Sequence, residues 1–143
     1  MLRFDSTLPV QQASDLAAVV LRSERLVDPA LLLAIAYQES RWGQNANHVD
    51  SHDHGVFGVR VTGTLRPEYA GNEHVLEDLR TNTVEAVAAL VFWRNFHETR
   101  CAGVDHAWWA HYRWGRIVGE GPDRVGAVYA RLRRYYAATG EPL

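Results

Sequence analysis

The feature that most constrains the fold is a long, almost wholly apolar run that starts at Ala30. Asp28 and Pro29 stand before it as a helix N-cap and a first-turn proline. The helical pattern continues to Trp42, where Gly43 is placed to end it. A helix that is apolar on nearly every side has no face for water, so it must lie in the middle of the core. We therefore predict a central helix from Ala30 to Trp42.

Length and composition indicate one folded domain spanning residues 1–143, with 47% hydrophobic and 22% charged residues. The net charge of -2 gives no basic field for nucleic acid, so no nucleic-acid partner is expected. No apolar run approaches the roughly 20 residues that span a bilayer, so membrane insertion is not expected. The single cysteine, Cys101, has no obvious histidine partner in sequence and is expected to be a packed thiol.

Helices are predicted on both sides of the central one. The first runs from about Pro9 to Arg25. Another is capped by Asn82, with Glu85 three residues later as in a capping box. The apolar residues of that helix predict its buried face: Val84, Val87, Ala88 and Val91.

Two more helices are predicted in the last third of the chain. A tryptophan-rich helix begins at Asp105, and the final helix begins at Gly121-Pro122. Apolar residues in the final helix recur at the spacing of one helical face, which should dock on the core: Val125, Val128, Tyr129, Leu132 and Tyr136.

The pattern between residues 45 and 64 differs from the helical segments. Gly55, Gly58 and Gly63 punctuate it, while Val59 and Val61 alternate with polar residues. Such alternation is typical of a short strand or hairpin. The predicted fold class is therefore α+β, predominantly α.

Glu39 is the most informative polar residue. It follows Leu32 by seven positions and Ile35 by four, so it shares their apolar helix face. Partial removal of a carboxyl from water raises its pKa, which suits a general acid near neutral pH. A structural ion pair with a residue such as Arg41 is the alternative.

Four segments carry a resemblance to a known family. In chain order they are Glu39-Ser40 followed by Trp42, Gly55-Val56-Phe57-Gly58-Val59, the segment from Asp78 to Leu90, and Ala110-His111-Tyr112-Arg113-Trp114-Gly115. They resemble the motifs of the soluble lytic transglycosylase and goose-type lysozyme family. The resemblance covers about residues 26–136.

This resemblance implies a lysozyme-like fold with a small β excursion after the catalytic helix. It implies a groove for strands of alternating N-acetylglucosamine and N-acetylmuramic acid, so peptidoglycan is the expected partner. It assigns Glu39 as the catalytic acid and places Tyr112 against it. The expected substrate-binding residues are Ser40, Trp42, Asp53, Gly55, Val56, Phe57, Gly58, Arg113 and Trp114. Two of them depart from the family, which has Gln at the position of Gly58 and Asn at that of Arg113.

Three functions remain open at this point. A lytic transglycosylase, favoured because no firm second carboxylate is present, would leave anhydro-muramic ends. A muramidase would hydrolyse the bond with help from Asp53 or Asp50. A wall-binding or virion structural module would keep the fold without activity.

Neither a metal nor another cofactor is expected. The loop from His48 to His54 holds five possible ligands, but no tetrahedral spacing. Trp93 and Trp108 are expected in the core, whereas Trp42 and Trp114 are expected at the groove. The N-terminus lacks the apolar stretch of a signal peptide, which leaves the compartment and the route to the cell wall open.

Overall fold

Helices dominate the computed structural model of the chain, which describes residues 9–45 and 52–140. The elements are α1 (Val10–Arg22), α2 (Pro29–Ser40), β1 (Asp53–His54), β2 (Val59–Arg60), two 3-10 helices (Pro67–Tyr69 and Glu73–Glu77), α3 (Leu79–Arg100), α4 (Ala110–Trp114) and α5 (Arg124–Thr139). The predicted α+β class, predominantly α, is confirmed. Within these residues, no helix has both the length and the apolar character needed to span a bilayer.

The central helix α2 lies in the core as predicted. The Asp28 carboxylate accepts a hydrogen bond from the Ala30 backbone N–H at 2.8 Å and caps its start. Most of its apolar side chains are buried, and α5 packs against it. On α5, Leu132 is buried and the predicted apolar face meets the Ala30 side of α2. The predicted core face of the last helix is therefore confirmed.

The end of α2 differs from the prediction. The helix ends at Ser40, and Arg41, Trp42 and Gly43 all have positive φ angles of 53°, 60° and 90°. The Trp42 N–H closes the end by donating to the Ala36 carbonyl at 3.1 Å. The chain therefore turns back two residues before the predicted end, and Glu39 is left in the last turn of the helix.

The predicted hairpin is present as two short antiparallel strands. Asp53 pairs with Arg60, and His54 pairs with Val59. The alternation that predicted a strand is also confirmed, because Val59 and Val61 are buried and Arg60 is exposed. The four-residue turn from Gly55 to Gly58 joins the two strands.

The predicted start of α3 was wrong. Its N-cap is Asp78, whose carboxylate accepts from the Thr81 N–H at 2.8 Å, so the helix starts three residues before Asn82. Glu85 forms no capping box, since it binds Arg66 and Tyr69. Val84 is 60% exposed and Ala88 is exposed, so the buried face is shifted from the predicted one. The buried residues of α3 are Asn82, Thr83, Ala86, Val87 and Leu90.

The starts of the last two helices also differ from the prediction. Residues 105–109 form turns and bends, and helix α4 covers five residues only, Ala110–Trp114. Helix α5 begins at Arg124, where the Asp123 carboxylate accepts from the Gly126 N–H at 2.7 Å. The glycine and proline before it therefore belong to the connecting loop.

Candidate functional site

The candidate site lies where the end of α2, the hairpin turn and α4 meet. Glu39 and Gly58 are both partly buried, and they face each other. A Cβ added at Gly58 would lie 2.8 Å from Glu39 Oε2, and the φ angle of Gly58 is +58°. The positive φ favours glycine, and a side chain here would have to displace the carboxylate of Glu39. Glycine at position 58 therefore leaves room for the carboxylate of Glu39.

Tyr112 is close enough to Glu39 for the charge of that carboxylate to raise the pKa of its phenol, and its hydroxyl is hydrogen-bonded to the hairpin turn. The Tyr112 hydroxyl donates to the Phe57 carbonyl at 2.8 Å and so ties α4 to the hairpin turn. Burial raises the pKa of Tyr112 well above its usual value, and the charge of Glu39 raises it further. The phenol therefore stays protonated and neutral, because the negative charge of Glu39 disfavours the phenolate.

Two cavities flank this junction. The first, of about 410 Å³, is bounded by Glu39 on α2 and by the α4 and α5 side of the molecule. The second, of about 580 Å³, is bounded by Gly58 and by the hairpin and α3 side. Tyr112, Arg113 and Trp114 line both. Glu39 and Gly58, which face each other, therefore lie between two cavities of the size that takes small ligands.

The shared wall offers an aromatic face and a cation. Trp114 is 48% exposed, as expected for a groove tryptophan, and the Arg113 guanidinium lies 5.4 Å from its ring centroid. The ring of Trp114 packs close to Gly119, where a Cβ would lie 2.8 Å away. Of the tryptophans expected in the core, Trp108 packs against it half-buried, whereas Trp93 lines the second cavity.

Backbone groups of the hairpin are hydrogen-bonded to side chains of the neighbouring helices. The Phe57 N–H donates to Asn82 Oδ1 at 2.8 Å, and Asn82 Nδ2 donates to the His54 carbonyl at 2.9 Å. Gly55 is buried, and a Cβ there would collide with Asn82. The Val56 carbonyl accepts from the Ser40 hydroxyl at 2.7 Å, while the Phe57 side chain is in the core. Gly55, Val56 and Phe57 therefore support the site, and Gly58 reaches the cavity.

Ser40 and Trp42 also support the site, through hydrogen bonds to backbone carbonyls away from the two cavities. Ser40 is 1% exposed, and its hydroxyl binds the hairpin turn. The Trp42 indole N–H donates to the Leu33 carbonyl at 3.0 Å, and its ring centroid lies 4.8 Å from that of Tyr37. As far as the structure describes the chain, neither side chain lines the two cavities.

Of the two carboxylates considered as a second catalytic group, Asp53 lies within the described residues and Asp50 does not. Asp53 is partly buried and pairs with Arg60 across the hairpin at 3.1 Å. It also raises the pKa of Tyr112, although more weakly than Glu39 does, with the charge of Arg66 opposing both. Asp50 and His48 lie outside the described residues.

Sequence reasoning missed a group of metal-ligating side chains. Among the residues that the structure describes, the close group lies away from the His48–His54 loop, at His97, His106 and His111. Cys101, which showed no histidine partner in sequence, lies with its Sγ 3.7 Å from His111 Nε2. In the sequence, the four possible ligands His97, Cys101, His106 and His111 follow one another at intervals of four, five and five residues, and this spacing is the pattern that could have revealed the group.

Comparisons with known proteins were made at the levels of sequence family, individual protein and fold. No family model, no curated protein and no solved structure matches the chain. The geometry around Glu39 and the motif resemblance are therefore the features that point to a function.

Proposed function

We propose that this chain cleaves the β-1,4 glycosidic bond between N-acetylmuramic acid and N-acetylglucosamine in peptidoglycan, with Glu39 as general acid. The proposal depends chiefly on one observation. The carboxylate of Glu39 lies against the glycine at position 58, between two cavities that share one wall. An enzyme that cuts a chain internally needs its acid between binding sites for the sugars on either side of the bond.

The shared wall suits a glycan. The exposed face of Trp114 offers a surface on which a sugar ring stacks. The guanidinium of Arg113 is exposed beside it and can pair with the lactyl carboxylate that distinguishes N-acetylmuramic acid. Arg113 thus replaces the family's asparagine with a group that is still suited to a carboxylate-bearing sugar.

The chemistry requires one proton carrier. Protonated Glu39 gives its proton to the glycosidic oxygen as the bond to the anomeric carbon breaks. The resulting carboxylate then takes a proton from the 6-hydroxyl of the muramic acid residue, whose oxygen closes on the anomeric carbon. The products are a free N-acetylglucosamine end and a 1,6-anhydro-muramic end, without added water. We favour this lytic transglycosylase outcome.

Hydrolysis is the second candidate, and one observation favours it. Asp53 is close enough to Tyr112 to raise the pKa of its phenol, so a second carboxylate belongs to the same neighbourhood. Inversion would require that carboxylate to activate water at about 6.5–9.5 Å from the acid. The ion pair with Arg60 argues against this role, because it holds Asp53 on the hairpin.

Mass spectrometry of digested peptidoglycan tests the proposal. The parent protein should release fragments with anhydro-muramic ends, which are lighter than reducing ends by one water. Asp53→Asn should give the same fragments. Reducing ends alone, together with an inactive Asp53→Asn, would make the protein a muramidase. Binding to peptidoglycan without any cleavage would make it a non-catalytic wall-binding module.

A further inference from the structure

Three histidines and the cysteine meet behind the shared wall of the groove. His97 is on α3, Cys101 and His106 lie in the loop after it, and His111 is on α4. His111 Nε2 lies 3.1 Å from His97 Nδ1 and 3.2 Å from His106 Nε2. The three ring nitrogens lie within 4.8 Å of one another. The cluster therefore has a common centre that faces one nitrogen of each ring.

His111 is oriented as metal-binding histidines are. Its side chain is 0% exposed, and its Nδ1 lies 2.6 Å from the Gly115 carbonyl. Because a carbonyl only accepts, Nδ1 carries the proton and Nε2 carries the lone pair. A hydrogen bond from the far ring nitrogen to a backbone carbonyl is the usual support of a metal-bound imidazole. The lone pair of His111 consequently points at the centre of the cluster.

The distances from His111 Nε2 to its three neighbours are close to those between ligands of a tetrahedral zinc ion. With Zn–N of about 2.05 Å and Zn–S of about 2.3 Å, two nitrogens lie about 3.3 Å apart and a nitrogen and a sulfur about 3.6 Å apart. The corresponding distances from His111 Nε2 are 3.1, 3.2 and 3.7 Å, the last to Cys101 Sγ. These three distances lie within about 0.2 Å of the tetrahedral values. The three ring nitrogens as a set lie within 4.8 Å of one another, so a bound ion would draw His97 and His106 together.

Hydrogen bonding explains this arrangement less well. The single lone pair of His111 Nε2 would have to serve His97, His106 and Cys101 together. Protonating the rings does not help, because positive charges would then face one another. Neutral imidazoles are the form that binds metal.

We propose that His97, Cys101, His106 and His111 form a structural Zn²⁺ site, a function separate from glycan cleavage. The site would join the end of α3 to α4, and the residue after His111 is Tyr112. Zinc would thus hold the wall that carries Tyr112, Arg113 and Trp114. His106 lines the 410 Å³ cavity, which provides a path for the ion.

Metal titration of chelator-treated protein tests this site. We expect one Zn²⁺ per chain and a higher Tm on binding. Losing a group that merely orients a ligand weakens metal binding about 10–100-fold, so His106→Ala, which removes a ligand, should weaken it at least as much. His52→Ala, an exposed histidine of the other His-rich loop, should bind as the parent does. An unchanged affinity in His106→Ala, or no stoichiometric binding by the parent, would overturn the proposal.

Cobalt reports the ligands independently of stability. Co²⁺ in place of Zn²⁺ should give the strong visible absorption of a tetrahedral site and a near-ultraviolet band from the thiolate. Cys101→Ser should remove the thiolate band, with circular dichroism showing that the helices are intact. Absence of that band from the Co²⁺-loaded parent protein would contradict the four-ligand site. None of these readouts depends on peptidoglycan cleavage, so the proposed function and the zinc site can fail separately.

Discussion

At the scale of single residues, glycine 58 determines where the carboxylate of Glu39 can lie. The turn needs a positive φ at this position, and the carboxylate occupies the space that a side chain would fill. Glycine at position 58 thus allows both the backbone conformation of the turn and the position of the Glu39 carboxylate. A larger residue would disturb both.

Gly58→Ala should lower activity by displacing Glu39. Its Cβ would lie 2.8 Å from Oε2, and the left-handed backbone would cost about 1–2 kcal/mol. Clearance of peptidoglycan suspensions per folded molecule measures the first effect and thermal unfolding the second. Gly63→Ala is the matched control, since a Cβ there meets nothing within 4 Å. A folded Gly58→Ala protein with the parent's rate would contradict this role of the glycine.

Tyr112→Phe should reduce stability because the Phe57 carbonyl loses its donor. The motif resemblance places Tyr112 against Glu39, but the hydroxyl of Tyr112 donates to the hairpin turn. With the hydroxyl bound to Phe57, we expect the free energy of unfolding to fall by about 1 kcal/mol. Urea unfolding measures this, with the exposed Tyr135→Phe as control. Equal stability of Tyr112→Phe and the parent would show that the bond contributes nothing.

At the scale of elements, two buried polar side chains join helices to the hairpin. Asn82 reaches from α3 to Phe57 and His54, and Ser40 reaches from α2 to Val56. The strands themselves are two residues each, too short to be stable alone. The turn that carries Gly58 is therefore positioned by its neighbours.

Asn82→Ala should destabilise the fold more than an exposed asparagine on the same helix. It removes the hydrogen bonds to the Phe57 N–H and the His54 carbonyl, and leaving the buried Phe57 N–H without its acceptor costs about 1–3 kcal/mol. Asn95→Ala, on the exposed side of α3, is the control. Chemical denaturation of both variants gives the comparison, and equal losses would mean that the bonds to the hairpin are not what matters.

The same asparagine shows where sequence patterns stop being informative. Apolar periodicity predicted α2 and the core face of α5, because packing on a core requires it. It failed on α3, whose buried face includes Asn82 and Thr83. Caps and buried asparagines use the same polar groups, so local sequence does not separate them. The hydrogen-bond partners of Asn82, in contrast to those of a cap, lie 25 and 28 residues away along the chain.

At the scale of the whole molecule, the fold brings Glu39, Gly58, Tyr112 and Trp114 to the two neighbouring cavities. The sequence could not show that Ser40 and Trp42 support the site from behind, because that depends on the early end of α2. Nor could it show the histidine cluster. Its members lie on two helices and a loop, and they meet only after α4 packs against α3.

The most direct test of the account is the rate at which Glu39→Gln releases soluble fragments from purified peptidoglycan. The two side chains are nearly isosteric, so the fold should persist while the transferable proton is lost. We predict a rate lower by about a hundred- to ten-thousand-fold at an unchanged Tm. Glu120→Gln, an exposed carboxylate of the same cavity, should keep the parent's rate. Release by Glu39→Gln at the parent's rate would contradict the assignment of Glu39 as the acid.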